Sequence, residues 1–528
     1  MHRLFVSIWF ASSNLLLGLA TPDWSTVTDA GRKFYEQHQY AEAERTLLEA
    51  TRLAQPNGGE AVAVSSSELA LTYRAEGKYD LAAREFERAL AIREHGLAKG
   101  DPELANSYNN LAALYQLRGQ YEEAERLYTK ARDSWDLSQA EKNLDEIITF
   151  NNFGNLEFTL GHFTKSKELY NTALRLNTRS DLAAKCALAQ TLTGLADLGE
   201  TDGKFDEAEQ LLEKALEIRR DPNQRDSIEA AITQAHLGHL YLTANDLARA
   251  EPTLLESARA CRANVKPWPT ECARVLDSLA LICRRTHRLA EAESYYREAV
   301  SLPESTFGED HPVLATSLNN LAEFYLSEKK YKEALPLLER ARGIWERRLG
   351  SAHPDVGSVL QNIAGAYTAQ HNYKNAEVLY QRAIGIDEKA LGPKSIKLAN
   401  ALHNLGSLYY LMHRYGEAED LFLRALAIAG SKESPSDSQA AVTLGNLGQL
   451  FRSEKRYEEA AEAYRKSIAL RAHLLSPDDE TWVPLLQGYA AVLRKIEDYA
   501  EAEKVETKAT GIHVRNTLKA NSFLGARP

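Results

Sequence analysis

A motif of aromatic and small residues returns every 42 positions along the chain, and this constant period restricts the fold more than any other feature. Around Tyr121 the motif places alanine three residues later, at Ala124, and a second ring at Tyr128. We call the first position of each copy the anchor. The anchors are Tyr40, Tyr79, Tyr121, Phe163, Phe205, Leu247, Leu289, Tyr331, Tyr373, Tyr415, Tyr457 and Tyr499. From the second anchor onward there is no insertion, and twelve units of this length predict a stacked array.

Each unit has the pattern of two amphipathic helices, which we name A and B. In helix A, Leu111 and Tyr115 are four residues apart and share a face. In helix B, Ala124, Tyr128 and Ala131 share another face. The alanine lets two helices approach closely, and the large ring fills the space beside it. We therefore predict about twelve tandem helix-turn-helix units and no β-sheet.

Glycine and proline mark the loops between units. Examples run from Gly308 to Pro312 and from Gly350 to Pro354, where glycine ends one helix and proline begins the next. A histidine precedes each of these prolines, His311 in one loop and His353 in the other. We interpret these histidines as helix caps and loop residues rather than metal ligands, because no paired metal motif accompanies them.

These residues resemble the tetratricopeptide repeat, through Leu-[Ala/Gly]-x-x-Tyr in helix A and Ala-x-x-x-[Tyr/Phe]-x-x-Ala in helix B. The 42-residue period and the Asn-x-Leu-Ala and Gly-x-x-His-Pro elements are similar to the long subclass found in kinesin light chains and many bacterial proteins. The resemblance covers about Trp24 to Asn516. It implies an all-α, right-handed α-solenoid over residues 21–516, with helices A lining its concave side, and leaves a C-terminal tail at 517–528.

The first 20 residues differ from the repeats. His2 and Arg3 precede a mostly apolar run that ends at Ala20, which predicts a signal peptide over residues 1–20. The run is short and polar for a membrane span. We expect an exported protein, periplasmic in a bacterium or secreted, without an integral membrane span after cleavage. The alternatives are a membrane anchor formed by this uncleaved segment and a misassigned start.

Charge and motifs argue against several classes of function. The formal net charge of -11 is unlike that of a general partner of nucleic acids or anionic membranes. The sequence contains no GxxxxGK[ST] phosphate loop, no HExxH and no GxSxG. Its many carboxylates occupy helix positions typical of solvated faces. We therefore predict no enzymatic activity and no cofactor.

A row of asparagines recurs eleven residues before the anchor, within helix A. Asparagine is unfavourable inside a helix because its amide competes for backbone hydrogen bonds, so its return at one phase needs a reason. The row comprises Asn110, Asn152, Asn320, Asn362, Asn404 and Asn446, with Gly194, His236 and Ser278 interrupting it. The family resemblance implies that such a row binds the main chain of an extended peptide, to which an amide offers a donor and an acceptor. A structural ladder between neighbouring helices is the alternative.

Basic residues are concentrated just after the sixth anchor. Residues 259–288 carry seven arginines or lysines and two acidic residues. Within this stretch Arg274 lies about three helical turns before Arg284 and Arg285, so the three share a helix face. The family resemblance places that face in the groove, where arginine would pair with a ligand carboxylate. A solvated surface is the alternative.

The four cysteines, Cys186, Cys261, Cys272 and Cys283, include no CxxC spacing, which argues against a zinc site. Cys261 and Cys272 flank a loop that contains two prolines. In an exported protein this pair would form a disulfide between two helices. The alternative is that all four are small buried hydrophobic residues.

The sequence therefore predicts a non-enzymatic interaction scaffold that binds an extended peptide or a partner protein in a concave groove. The first alternative is a structural component of envelope assembly that acts through its convex face or its ends, with self-association. An enzyme with a diffuse site is the third candidate. No motif identifies the ligand.

Overall fold

The structure is a computed structural model that describes residues 23–525, apart from 139–143, 179–180, 221–227, 264–268, 431–436, 475–478 and 480. The predicted signal peptide lies outside the described residues. Within them the chain forms 24 α-helices, one short 3₁₀ turn at Gln55–Asn57 and no β-strand. The helices are α1 (Trp24–Glu36), α2 (Tyr40–Ala54), α3 (Gly59–Ala75), α4 (Tyr79–Gly96), α5 (Pro102–Leu117), α6 (Tyr121–Leu137), α7 (Leu144–Thr159), α8 (Phe163–Leu176), α9 (Leu182–Thr201), α10 (Phe205–Arg219), α11 (Ile228–Thr243), α12 (Leu247–Ala263), α13 (Pro269–Arg285), α14 (Leu289–Phe307), α15 (Pro312–Ser327), α16 (Tyr331–Arg348), α17 (Pro354–Ala369), α18 (Tyr373–Leu391), α19 (Ile396–Leu411), α20 (Tyr415–Ala429), α21 (Asp437–Ser453), α22 (Tyr457–Leu474), α23 (Trp482–Lys495) and α24 (Tyr499–Gly525).

The helices pack as twelve successive pairs, and we number the units 1 to 12 accordingly. Every helix B begins at its anchor, from Tyr40 at the start of α2 to Tyr499 at the start of α24. Each pair packs against the next, and helices A of neighbouring units also contact one another, as α15 does with α17. This arrangement confirms the predicted all-α solenoid.

The small residue three positions after each anchor lies at the closest helix contact. In eleven units it is an alanine without solvent exposure, as at Ala124 and Ala334. Ser166 replaces it in unit 4 and is equally buried, and its hydroxyl donates to the carbonyl of Gly154 at 2.8 Å. A larger side chain here would force the helices apart at a cost of about 1–3 kcal/mol.

His311 and His353 cap helices α15 and α17, as the sequence predicts. Nδ1 of each ring accepts a hydrogen bond from the backbone N–H two residues later, at 3.3 Å from Val313 and at 3.1 Å from Asp355. Burial lowers the pKa of both imidazoles, to about 4 for His311, so both rings are neutral at pH 7. Because Nδ1 accepts, the ring proton is on Nε2.

The same histidines connect successive turns of the superhelix. Nε2–H of His353, at the start of unit 9, donates to the carbonyl of Leu117 in unit 3 at 3.2 Å. His311, at the start of unit 8, faces the carbonyl of Ala75 in unit 2 in the same way, without completing a hydrogen bond. One hydrophobic cluster includes residues of both turns, within 43–187 and within 280–386. We call this contact of units 2 and 3 with the first residues of units 8 and 9 the seam.

Glycine at two A–B turns makes room for the seam. Gly77 and Gly119 have φ of 69° and 68°. A Cβ on Gly119 would lie 2.7 Å from Cδ of Pro354, and a Cβ on Gly77 would lie 2.9 Å from Cδ2 of His311. The equivalent turn residue also has positive φ in the other units, where it is His38, Gly161, Gly203, Asn245, His287, Lys329, His371, His413, Lys455 or Glu497. The turn itself therefore tolerates a side chain, and the seam does not.

The C-terminal helix corrects one prediction. Helix α24 continues to Gly525, so residues 517–525 of the predicted tail are helical. The residues after Asn516 contain no proline and no glycine before Gly525, so nothing in them ends the helix earlier.

We predict that Gly119→Ala destabilises the protein more than Gly203→Ala does. Both glycines have φ near 70°, so alanine costs about 1–2 kcal/mol of backbone strain at either turn. Only Gly119 also has seam atoms against the new Cβ, whereas Gly203 has none within 4 Å. Crowding adds about 1–3 kcal/mol at Gly119. Urea unfolding of the two variants measures the difference, and equal midpoints would contradict the contribution of the seam.

Candidate ligand-binding groove

The asparagine row forms a ladder between successive helices A. Each of its side chains is half-buried. Nδ2 of Asn152 donates to Oδ1 of Asn109 at 3.1 Å, and Nδ2 of Asn362 donates to Oδ1 of Asn319 at 2.9 Å. Three further members bond the preceding helix A in the same way: Nδ2 of Asn320 donates to Asp277 at 2.7 Å, Nδ2 of Asn404 to Gln361 at 3.1 Å and Nδ2 of Asn446 to His403 at 3.2 Å. Asn110 differs, because its Oδ1 accepts from Nδ2 of Asn109 in the same helix at 3.3 Å. The structural ladder, an open alternative from the sequence, is thus present.

The ladder uses the amide nitrogens and leaves a set of amide oxygens unused. Within the described part of the chain, no hydrogen bond reaches Oδ1 of Asn320, Asn362, Asn404 or Asn446. Because each Nδ2 is held by the preceding helix, each oxygen has a fixed orientation. In units 8 to 11 the row therefore offers an acceptor in every unit, together with a second amide N–H at Asn320 and Asn404, whereas both N–H groups are used at Asn362 and Asn446.

The ladder acceptors lie one residue before the row position, and the period of the row asparagines alone does not indicate them. In five units the residue before the row asparagine carries an acceptor of its own: Asn109, Asn151, Asn319, Gln361 and His403. In the sequence, the doublets Asn109–Asn110 and Asn319–Asn320 are the feature that indicates these acceptors. A polar pair repeated at one helical phase indicates bonding between repeats as much as bonding to a ligand.

Asp277 is a ladder acceptor whose ionised form is destabilised by burial. Burial raises the pKa of this carboxyl to about 7, against a smaller lowering effect of the hydrogen bond from Asn320. Its Oδ1 atom is buried without a hydrogen-bond partner among the described residues. Equivalent positions in the next two units carry the neutral amides Asn319 and Gln361. A carboxylate here is therefore costly above neutral pH.

A pocket of about 370 Å³ opens in the groove where the asparagine row is interrupted. It lies mainly between α9, α11 and α13, and His236 and Ser278 line it in place of row asparagines. Gly194 occupies the third interrupted position, where the Tyr170 ring would lie 2.4 Å from a Cβ. The interruption therefore replaces the ladder with a cavity.

Carboxylates dominate the polar lining of this pocket. Nδ1 of His236 lies 3.6 Å from Oδ1 of Asp197, and Nδ1 of His239 lies 3.5 Å from Oε1 of Glu200. Burial favours a higher pKa for Glu200, but hydrogen bonds from His239 and Thr243 outweigh it and lower that pKa. Across the pocket, burial raises the pKa of Glu271.

The structure separates the three candidate arginines. Arg274 is exposed and lines the pocket. Nη1 of Arg285 donates to the carbonyl of Leu242 at 3.0 Å, at the end of the preceding helix A. Arg284 is half-buried near Tyr296, whose pKa burial raises to about 12 while the Arg284 charge lowers it. Only Arg274 borders the pocket.

Cys261 and Cys272 lie together, as the sequence suggests. Both are buried thiols, and the hydrogen-bond contact with Cys272 lowers the pKa of Cys261. The thiols are therefore close enough for their bridging to stay a prediction for an oxidising compartment. In the described residues, no group of three metal-binding side chains occurs and no helix is long and apolar enough to cross a bilayer.

Models of the tetratricopeptide repeat match most of the sequence. One model matches residues 103–179, 187–263, 271–347, 313–389, 355–431, 397–473 and 439–513, and a second matches residues 62–103. No curated protein matches the chain.

Three solved structures are similar to the chain. BtubC (BKLC) from P. vanneervenii is 21% identical, with 48% of this chain and 92% of that chain covered and a TM-score of 0.35. The kinesin light chain with nearly identical TPR-like repeats from Podosopora anserina is 23% identical, with 39% and 97% covered and a TM-score of 0.33. A Rap protein complexed with competence and sporulation factor is 14% identical, with 70% and 99% covered and a TM-score of 0.47.

We predict that Asp277→Asn stabilises the protein more at pH 8 than at pH 5. The folded-state pKa of about 7 is raised above the unfolded value, so the carboxyl costs stability once the unfolded chain ionises above about pH 4, and this cost grows until about pH 7 and is constant above it. One pKa unit corresponds to about 1.4 kcal/mol, so the gain at pH 8 is expected to exceed the gain at pH 5 by about 2 kcal/mol or more. Thermal unfolding at the two pH values measures it. Equal effects at both would show that Asp277 is not a buried acid.

Proposed function

Because the chain belongs to the tetratricopeptide repeat family, we propose that it is a non-enzymatic interaction scaffold whose concave groove binds an extended peptide. The observation that carries this proposal is the set of oriented amide oxygens at Asn320, Asn362, Asn404 and Asn446. The ladder holds the nitrogen of each amide and leaves its oxygen to a ligand. The groups that an extended peptide offers in series are its main-chain N–H donors.

The spacing of the oxygens suits such a ligand. Packed helices lie about 8–10 Å apart, so successive units present one oxygen at roughly that interval. A polyproline II peptide rises about 3.1 Å per residue with three residues per turn, so the same face returns about every 9 Å. Its N–H groups have no internal partners. One N–H in three can therefore meet one asparagine of the row.

Arg274 supplies a charge at one end of this track. Arg274 belongs to unit 7, is exposed and borders the pocket. The next unit, unit 8, carries Asn320, the first of the four unused oxygens. We propose that Arg274 pairs with a carboxylate of the ligand, since a guanidinium forms bidentate hydrogen bonds with that group. Arg284 and Arg285 have local contacts of their own and are weaker candidates than the sequence indicated.

We predict that Asn404→Ala weakens peptide binding, whereas Asn404→Asp preserves it. The probe is a peptide selected from a random twelve-residue library against the wild-type chain. Alanine removes the acceptor, worth about 0.5–1.5 kcal/mol, or roughly two- to tenfold in Kd. Aspartate keeps an acceptor, and Gln361 can rotate its amide to donate to it. Fluorescence anisotropy measures both, with the exposed Glu458→Ala as the surface control.

Two outcomes would contradict groove binding at the row. One is that Asn404→Ala, with Asn362→Ala added, binds the selected peptide as tightly as the wild type while its helical content is unchanged. The other is that Glu458→Ala weakens binding as much as the groove variants do. Either result would favour the envelope-assembly alternative, in which the chain interacts through its convex face or its ends.

We further propose that the chain is exported, on the basis of the apolar segment ending at Ala20. An intact mass that begins within a few residues of Thr21 supports cleavage. A mass that retains residues 1–20 would favour the membrane-anchored alternative. Peptide mapping of exported protein without reductant then tests the bridge between Cys261 and Cys272.

A further inference from the structure

We propose that the pocket between α9, α11 and α13 binds a cationic side chain, arginine or lysine, of the bound peptide. This inference rests on the proposed function, because it names what the middle of the groove recognises. Asp197 and Glu200 form the site for the charge, and Glu271 lies across the same cavity.

The carboxylates of the pocket lack the partner that comparable groups have elsewhere in the chain. Within the described residues, Asp197, Glu200 and Glu271 form no salt bridge with a lysine or an arginine. The basic contacts of Asp197 and Glu200 are imidazoles at 3.6 and 3.5 Å, and the basic neighbour of Glu271 is Arg274, whose charge lowers the pKa of Glu271 against the larger effect of burial. Glu323 occupies the position of Asp197 three units later, and it accepts hydrogen bonds from two ladder amides at 2.8 Å each. The interruption of the ladder therefore removes the internal amide donors at the place where three carboxylates line one cavity.

The two α9 carboxylates also repel one another. Asp197 and Glu200 are three residues apart on one helix, the spacing at which like charges are destabilising. His236 and His239, on α11, contact one carboxylate each. Each imidazole contacts a single carboxylate, so neither of these contacts bridges the two. A ligand cation that contacts both carboxylates relieves the repulsion and gains charge-assisted hydrogen bonds.

The apolar part of the cavity matches the rest of such a side chain. Phe158, Ile232 and Val275 line it beside the charged groups. Arginine and lysine combine an aliphatic stem with a charged head, so they bury the stem along apolar surface while the head meets polar groups. Arg274 borders the same cavity, and its positive charge disfavours a bound cation. Removal of Arg274 should therefore raise the affinity for a cationic side chain, whereas removal of the α9 carboxylates should lower it.

Three pentapeptides test the chemistry of the pocket by isothermal titration. They are acetyl-Ala-Ala-Xaa-Ala-Ala-amide with arginine, lysine or citrulline at the centre, citrulline being the neutral counterpart of arginine. We expect the arginine and lysine peptides to bind at least about tenfold more tightly than the citrulline peptide, because hydrogen bonds to charged groups are about twice as strong as neutral ones. High salt should weaken the two charged peptides alone.

Variants locate the binding. Asp197→Asn with Glu200→Gln should lose at least about tenfold in affinity for the arginine peptide, and Arg274→Ala should gain affinity because a like charge is removed. The matched control is Asp206→Asn with Glu207→Gln, which makes the same charge change in the same unit at exposed positions of α10. It should bind as the wild type does. Circular dichroism confirms that each variant is folded.

The proposal is overturned if the citrulline peptide binds as tightly as the arginine peptide, if no arginine-peptide binding is measurable, or if the α9 double variant binds as tightly as its α10 control. These failures are separable from failure of the proposed function. A peptide bound through the asparagine row depends on Asn404 in either case, and Arg274→Ala weakens its carboxylate contact instead of strengthening binding.

Discussion

Closure of the superhelix on itself is the constraint on which the rest of the structure depends. Units 2 and 3 contact units 8 and 9 through two turns that have no space for a Cβ, at Gly77 and Gly119. A contact between units six places apart fixes the total rotation and rise of the units between them. One inserted residue would shift all later units. The uninterrupted 42-residue period is thus the sequence counterpart of the seam.

The seam also restricts how the groove can work. Contacts between successive turns hold the helices A of units 2, 3, 8 and 9 in place from outside the groove, and the asparagine ladder holds neighbouring helices A together from inside it. With both sets of bonds in place, ligand-binding groups have fixed orientations before a ligand arrives. Preorganisation of this kind lowers the entropy lost on binding. The pocket lies where the asparagine ladder is interrupted.

Much of the fold follows from the sequence because it depends on local patterns. The anchors predict the first residue of every helix B, and the residue three positions later predicts the closest helix contact. The seam does not follow, because it depends on superhelical pitch, the sum of small rotations between units. Nothing near Gly119 in sequence indicates that Pro354 will lie 2.7 Å from its missing Cβ.

The candidate site was predictable in position but less so in chemistry. The phase of the asparagines predicts the helix face that carries them. It does not predict that Nδ2 of Asn362 bonds Asn319, because a row suited to a ligand and a row suited to a neighbour have the same period. Arg274, Arg284 and Arg285 share a helix face, yet only Arg274 borders the pocket. Helical periodicity predicts the direction of a side chain, whereas the contacts with Leu242 and Tyr296 depend on other helices, α11 of the preceding unit and α14 of the same unit.

Small-angle X-ray scattering of three proteins tests closure of the superhelix most directly. The proteins are the wild type, the seam variant Gly77→Lys with Gly119→Lys, and Gly203→Lys, which places lysine in a turn of the same conformation that faces open space. Closure predicts that the seam variant keeps its helical content but has a larger maximum dimension and radius of gyration, while Gly203→Lys scatters as the wild type does. Identical scattering from all three folded proteins would show that the two turns do not hold the superhelix closed.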